Sequence, residues 1–203
     1  MGAVSTPEEP NSVDSLVRRC VRGDREAQRA LFQRLRGPVH ATLFRILGNN
    51  RDFPDLAQDA FVEIFRSLHA FRGDSQITTW SDIITARVAY KYLARRERRP
   101  DHLRLVEDDD RAGSSAEAVE RRSDAREAMR RLYRILDRLE PIYRIAYALH
   151  VIDGRPLSEV AVLTEATRVA AKNRVWRARK MVARRARRDP YLSAFLQNEG
   201  EPA

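Results

Sequence analysis

One cysteine, Cys20, in 203 residues leaves no partner for it within the chain, so a disulfide framework is excluded. The four histidines, His40, His69, His102 and His150, are scattered without the spacing of a ligand set, and no metal site is expected. Glycine-rich phosphate loops and nucleophile motifs are missing too. The chain is therefore not expected to be an enzyme, and no catalytic residue or cofactor is assigned. Long apolar runs are absent: none approaches the roughly 20 residues that span a bilayer. The first ten residues, MGAVSTPEEP, have neither the basic nor the apolar region of a secretory signal, so the expected location is the cytoplasm, without membrane insertion.

Positive charge is what the chain has in excess. Lys and Arg number 38 against 29 Asp and Glu, a net charge of +9, which makes a polyanion the economical partner. Nucleic acid fits better than an anionic membrane, given the missing apolar runs. A hydrophobic content of 43% suffices for the cores of one or two small domains.

Residues 1–12 hold Pro7, Glu8, Glu9 and Pro10 with little to bury and read as a flexible tail. Helical spacing then predicts three short helices: Ser15 to Val21, with Leu16, Val17 and Val21 inward; Arg25 to Leu35, with Ala27, Ala30, Leu31 and Leu35 inward; and a third opened by Gly37-Pro38 and ending near Leu47. Leu56, Ala60, Phe61, Ile64, Phe65 and Leu68 form a further stripe, while Asp55, Gln58, Asp59 and Glu63 lie largely together on the opposite side. Helix-dipole preference explains Asp55 and Asp59 in a first turn but not Gln58 or Val62 beside them.

A turn-rich loop, Phe71-Arg72-Gly73-Asp74-Ser75, leads through Thr79-Trp80 into a helix that ends in Arg95-Arg96-Glu97-Arg98-Arg99. Basic residues interleaved with Trp80, Tyr90 and Tyr92 suit a single strand, whose bases stack on aromatics while cations follow phosphates. Core packing is an equal claimant for Trp80 and Tyr92. From Asp101 the composition turns acidic and poor in large apolar residues, which predicts a tether before helices resume at Ala125, with Met129, Leu132, Leu136 and Leu139 inward.

Near the end, a short run to Leu163, a break at Thr164-Glu165-Ala166 and a long basic run have the outline of a helix-turn-helix. Ala171, Val175, Ala178 and Val182 fall on one side of the long run; Arg168, Lys172, Asn173, Arg174, Arg177 and Arg179 occupy the others. A basic helix is also compatible with a merely solvated face. Glu165 sits where such motifs place glycine for a positive φ. The predicted organisation is all-α: a tail (1–12), a helical domain (13–100), a flexible acidic linker (101–123), a helix-turn-helix domain (124–188) and a C-terminal tail (189–203).

Several short motifs stand in one order. Asp55-Leu56-Ala57-Gln58-Asp59-Ala60-Phe61 resembles D-L-x-Q-[ED]-x-F, and Phe71 to Ser75 with Thr79-Trp80 resembles F-R-G-[DE]-[SA]…T-W. Leu139, Pro141, Arg144, Asp153-Gly154, Glu159-Val160-Ala161, Lys172, Arg174 and Arg177-Ala178-Arg179 follow L-x-P-x-x-R…[ED]-G…E-[IV]-A…K-x-R-x-x-R-A-R. Over residues 14–188 the chain thereby resembles bacterial RNA polymerase sigma factors of the extracytoplasmic-function group. The resemblance implies that Asp55, Gln58, Asp59 and Val62 dock on the basic beta-prime clamp of core RNA polymerase, with the beta flap as a second contact. It implies that Phe71, Arg72, Asp74, Ser75, Trp80, Arg87, Lys91, Arg95 and Arg96 hold the melted minus-ten strand of promoter DNA. Arg168, Lys172, Asn173, Arg174, Arg177 and Arg179 would read the minus-thirty-five duplex, and an anti-sigma factor is the implied regulatory partner. A sigma-like DNA-binding regulator or decoy that does not support initiation is the alternative.

Four places depart from the family pattern. Arg87 and Lys91 stand where Asn and Asp are common, and Ser81-Asp82 replaces an apolar-aromatic pair. Thr164-Glu165 replaces Leu-Gly, and Val169-Ala170-Ala171 replaces Gly-Thr-Val. The small Ala171 is expected to weaken the core of the C-terminal domain.

Overall fold

The computed structural model describes residues 12–97 and 116–193, the second stretch with side chains from residue 123 onward. All regular structure among these residues is helical, and no helix there is long and apolar enough to cross a membrane.

The first helix, α1 (Val13–Val21), is capped by Ser12, whose hydroxyl accepts from the Ser15 amide at 3.2 Å. It buries Leu16, Val17 and Cys20; Val21, expected inside, is 54% exposed. Asp24 caps α2 by accepting from the amides of Glu26 and Ala27. Those bonds and the Arg19 guanidinium hold its carboxyl below the usual range.

The second helix corrects the sequence reading. Residues Arg25–Leu47 form one continuous helix, α2, through Gly37 and Pro38. The reason is an unbroken inward stripe: Leu31, Leu35, Val39, Leu43 and Ile46 are all fully buried across the proline. Burying a Val, Leu or Ile side chain contributes about 1.5–3 kcal/mol, so these five outweigh the roughly 3 kcal/mol cost of an internal proline. Ala30, placed inside by the sequence reading, is exposed.

Pro54 opens α3 (Phe53–Ser67), followed by a 3-10 turn at Leu68–Ala70. The helix α4 (Ile77–Glu97) packs across α2 and α3 and is buried over most of its circumference, including Ser81, Asp82 and Thr85. The hydroxyls of Ser81 and Thr85 donate to carbonyls one turn back, at 2.8 Å each. Tyr92, weighed as a base-stacking residue, instead donates to Asp52 at 2.9 Å and accepts from Asn50 at 3.0 Å, fastening α4 to the start of α3.

In the C-terminal region α5 spans Ala116–Leu136 and begins inside the expected linker. Its first two turns are Ala-, Glu- and Arg-rich without Gly or Pro, a composition that favours helix as much as acidity suggests a tether. The linker's residues 101–115 lie outside the described residues, as do the tail at 1–11 and the chain from 194 on. Among the described side chains of α5, Ala128 is the first buried one, and Met129, expected inward, is 40% exposed.

Next come α6 (Pro141–Tyr147), a π-helical turn at Ala148–Ile152, α7 (Leu157–Leu163) and α8 (Arg168–Ala186). Beyond α8, Asp189 pairs with Arg131 at 2.9 Å and Leu192 is buried, so residues 189–193 fold back on α5 instead of forming the expected tail.

The two helical regions share one hydrophobic core. Ile145, Leu149, Val160, Leu163 and Ala171 join Leu31, Leu35, Leu43, Ile64 and Leu93, while a second cluster gathers Ala128, Leu136, Ala178 and Val182. Ala171 is fully buried.

Candidate nucleic-acid interface and acidic docking face

Two of the three sequence-derived residue sets divide when their helices are wound at about 100° per residue, and the set on α3 stays together. On α3, Leu56, Ala60 and Ile64 face the core, which leaves Asp55, Gln58, Asp59 and Val62 exposed together on the far side. Val62 is 51% exposed, an apolar side chain one turn on from Gln58 and Asp59. That combination of an apolar contact and neighbouring charge suits a protein partner with complementary potential.

The loop after the 3-10 turn leaves Arg72, Asp74 and Ser75 exposed, while Phe71 is half-buried edge-on to Trp80, ring centroids 5.5 Å apart. Trp80 opens the outward face of α4, followed one turn apart by Arg87 and Lys91, with the exposed Tyr90 beside them. Arg95 is exposed near the helix end, but Arg96 turns the other way, its guanidinium 3.6 Å from the buried Asp137 carboxylate. Arg96 is thereby separated from the set to which the sequence assigned it.

In the helix-turn-helix, Thr167 caps α8 by accepting from the Ala170 amide at 3.1 Å. The turn before it contains Glu165 at φ 49°, the single non-glycine residue with positive φ among those described. Holding a non-glycine side chain there costs roughly 1–2 kcal/mol.

Ala171, Val175, Ala178 and Val182 bury the inner side of α8, and the six basic or polar candidates spread over three sides. Arg168, Lys172 and Arg179 form one exposed flank; Asn173 and Arg177 lie outward; Arg174 is half-buried on the other flank, 3.5 Å from the Thr164 carbonyl. Arg177 donates to the Tyr143 hydroxyl at 3.2 Å.

Two large apolar residues to which the sequence reading gave no DNA role share the outward face: Val169, 70% exposed, and Trp176, 56% exposed with the Lys180 ammonium 4.0 Å from its ring centroid. Their signal was present in the seven-residue spacing from Val169 to Trp176, opposite the buried stripe.

Arg87 also forms an ion pair with Glu165 of the helix-turn-helix. A cleft of ≈ 480 Å³ between the two regions is lined by Arg87, Tyr90, Lys91, Glu165 and Arg174 over an apolar floor of Ala86, Ile142, Ile145 and Leu163. Among the described residues no group of three or more His, Cys, Asp or Glu side chains converges to hold a metal ion.

The family model described as Sigma-70 region 2 matches residues 31–99, and that described as Sigma-70, region 4 matches residues 129–182. The ECF RNA polymerase sigma-E factor of Escherichia coli K12 is 28% identical over 173 residues, covering 82% of this chain and 90% of that protein. Its namesake in Haemophilus influenzae is 27% identical over 174 residues, covering 83% and 92%.

Two solved structures share the fold. CnrH in complex with the cytosolic domain of CnrY aligns with a TM-score of 0.58 and 23% identity, covering 86% of this chain and 96% of that one. The sigma factor RpoE in complex with the anti-sigma factor NepR from Bartonella quintana aligns with a TM-score of 0.54 and 18% identity, covering 76% and 92%.

Proposed function

Because this chain is a sigma factor of the sigma-70 family, in the extracytoplasmic-function group, and directs transcription initiation, we propose that it grips core polymerase through one face and a promoter through two others. The observation that carries this reading is the α3 face of Asp55, Gln58, Asp59 and Val62, exposed as a unit in an otherwise basic chain. It meets the beta-prime clamp, whose basic surface supplies the opposite charge, and the C-terminal region meets the beta flap. This work is done in the cytoplasm, where the polymerase is.

On DNA, the loop of Arg72, Asp74 and Ser75 and the outward face of α4, with Trp80, Arg87 and Lys91, hold the unpaired minus-ten strand. Stacking and phosphate contacts then supply the melting energy. The α8 helix enters the major groove of the minus-thirty-five element. Arg168, Lys172 and Arg179 take phosphates there, and Asn173, Val169 and Trp176 face base edges, the two apolar residues suited to contact with a thymine methyl. An anti-sigma factor is the proposed regulator, supported by the partner in the RpoE–NepR complex.

Run-off transcription tests the proposal. Purified chain with core polymerase, offered a template pool randomised at both elements, is expected to yield transcripts enriched for one motif pair. DNA binding without any enriched transcript would make the decoy reading the correct one.

Salt gives a second measurement. Affinity of the full chain for duplex DNA is expected to fall linearly in log–log form, and Lys172→Ala or Arg179→Ala should each flatten the slope by about 0.9 if the residue neutralises one phosphate. An unchanged slope for both removes that flank from the interface.

A further inference from the structure

The cleft of ≈ 480 Å³ bordered by α4, the start of α6 and the helix-turn-helix has a floor and a rim of opposite character. Its floor is apolar: Ala86, Ile145 and Leu163 are 3%, 3% and 1% exposed. Alanine at position 86 carries no side chain beyond Cβ, and the space over the floor stays open on that side. Residues four apart lie on one side of a helix, so α4 sets Tyr90 one turn after Ala86 and Lys91 one turn after Arg87. Tyr90, 46% exposed, thereby adds an aromatic ring to the wall beside two cations.

The rim is positive beyond its own pairing. Arg87, Lys91 and Arg174 face one carboxylate, Glu165, which is paired with Arg87. Among the described residues Lys91 and Arg174 have no carboxylate partner, and Arg174 lies 3.5 Å from the Thr164 carbonyl, too long for a strong hydrogen bond. Two cations beside an apolar floor are complementary to a molecule with an apolar body and an anionic head, since the head gains charge-assisted hydrogen bonds while the body leaves water. The volume falls in the range of about 300–1,000 Å³ usual for small-molecule sites, which favour boundaries between folding units and combine an apolar lining with a few orienting polar groups. It is too small for a partner helix, which measures about 10–12 Å across with its side chains.

We propose that this cleft is a binding site for a small amphipathic organic anion. A flat apolar body rests on Ala86, Ile145 and Leu163 beside Tyr90, and an oxyanion head lies between Lys91 and Arg174. The guanidinium fork of Arg174 suits such a head better than a point charge does. A consequence rests on the reading of α4 as the strand-holding helix: the ligand competes with the minus-ten strand, because Lys91 cannot serve two anions at once. A sigma factor with this site responds to a small molecule without a second protein.

The test uses the full chain and two probes, anilinonaphthalene sulfonate, an aromatic anion, and phenylnaphthylamine, which has the same rings without the sulfonate. Isothermal titration is expected to give one saturable site for the anion, at least about tenfold tighter than the neutral probe, the share of one hydrogen bond to a charged group. Ile142→Glu, at a half-buried position of the wall, sets a second carboxylate in the cleft and should weaken the anion at least about tenfold. Arg174→Gln should weaken the anion and leave the neutral probe within about twofold of the parent. Circular dichroism checks that each variant keeps the parent's helicity. No saturable site, equal affinity for the two probes, or anion binding unchanged in Arg174→Gln overturns the proposal.

Anisotropy of a labelled single-stranded minus-ten oligonucleotide separates the site from its consequence. With the anion at about ten times its Kd, oligonucleotide affinity should fall about tenfold by mass action. A saturable site sensitive to Ile142→Glu and Arg174→Gln, beside an unchanged oligonucleotide affinity, supports the cleft and overturns the reading that puts Lys91 on the strand.

Discussion

Lysine at both Asp55 and Asp59 is expected to weaken binding to core polymerase by at least about 100-fold and to abolish promoter-specific transcription, with the melting temperature nearly unchanged. Both side chains are exposed and point away from Leu56, Ala60 and Ile64, so the fold loses no packing. Across the proposed interface, however, two attractive contacts become repulsive ones. Like charge facing like charge costs several kcal/mol, and each 1.4 kcal/mol is tenfold in affinity.

The loss should appear in both rate and lifetime, since charge steers the encounter while close contacts such as that of the exposed Val62 are expected to act on dissociation. Val62→Ala accordingly serves as the contrasting variant, with an unaltered on-rate and a faster off-rate. Equal binding of the Asp55→Lys/Asp59→Lys double variant and the parent, measured by surface plasmon resonance at physiological salt, would remove α3 from the docking surface.

That face was legible in the sequence because a helix repeats its sides within the chain. Four residues spaced over eight positions announce an exposed stripe, and their apolar neighbours announce the buried one. The helix-turn-helix was legible for the same reason, together with the positive φ that its turn imposes on Glu165. The boundaries at Gly37-Pro38 and Ala116 were missed because local breakers and composition were weighed against packing that only tertiary structure supplies. Leu35 and Val39 are buried on either side of Pro38 by helices elsewhere in the chain.

The junction between the regions was not legible at all. Asp82 and Arg155 are 73 residues apart, Arg87 and Glu165 are 78, and Arg144 lies 98 from Ile46. No periodicity links such positions, so Asp82 stood only as part of a departure from the family pattern and Arg144 only as one residue of a motif. Burial of Asp82 pushes its carboxyl pKa upward, with Arg155 and Thr42 pulling the other way. Of the departures from the family pattern, Asp82 and the Arg87–Glu165 pair lie at the contact between the two regions.

Arg144→Met is expected to be the most disruptive single substitution at this junction. Arg144 is 1% exposed, and its planar guanidinium serves the carbonyls of Ile46 and Leu47 and the carboxylate of Asp137 together. Methionine fills similar volume but donates nothing, so two helix-end carbonyls and a carboxylate that is 5% exposed lose their donor. Arg96, at 3.6 Å, is too distant to replace it for Asp137.

Removing one partner of a buried pair costs about 3–5 kcal/mol, which for a chain of this size lowers Tm by roughly 6–20 °C. Lysine is a partial substitute at best: it keeps the charge but cannot direct donors to three acceptors in one plane. The cost has an upper bound, because separating the regions lets water reach the exposed carbonyls of α2. Arg144→Met therefore has two permitted outcomes, a lower melting temperature by circular dichroism or an expanded chain of unchanged helicity by X-ray scattering. A variant with the parent's Tm and the parent's dimensions would mean that the α2 carbonyls do not depend on the C-terminal region for their hydrogen bonds. Tyr133→Phe sharpens the comparison, since it removes one hydroxyl from the preceding carbonyls, Arg45 O at 2.9 Å and Phe44 O at 3.2 Å, while leaving the ring on Gly48, and its loss should be no more than about 1–3 kcal/mol. The order Arg144→Met over Tyr133→Phe is what a charged, three-acceptor cap requires.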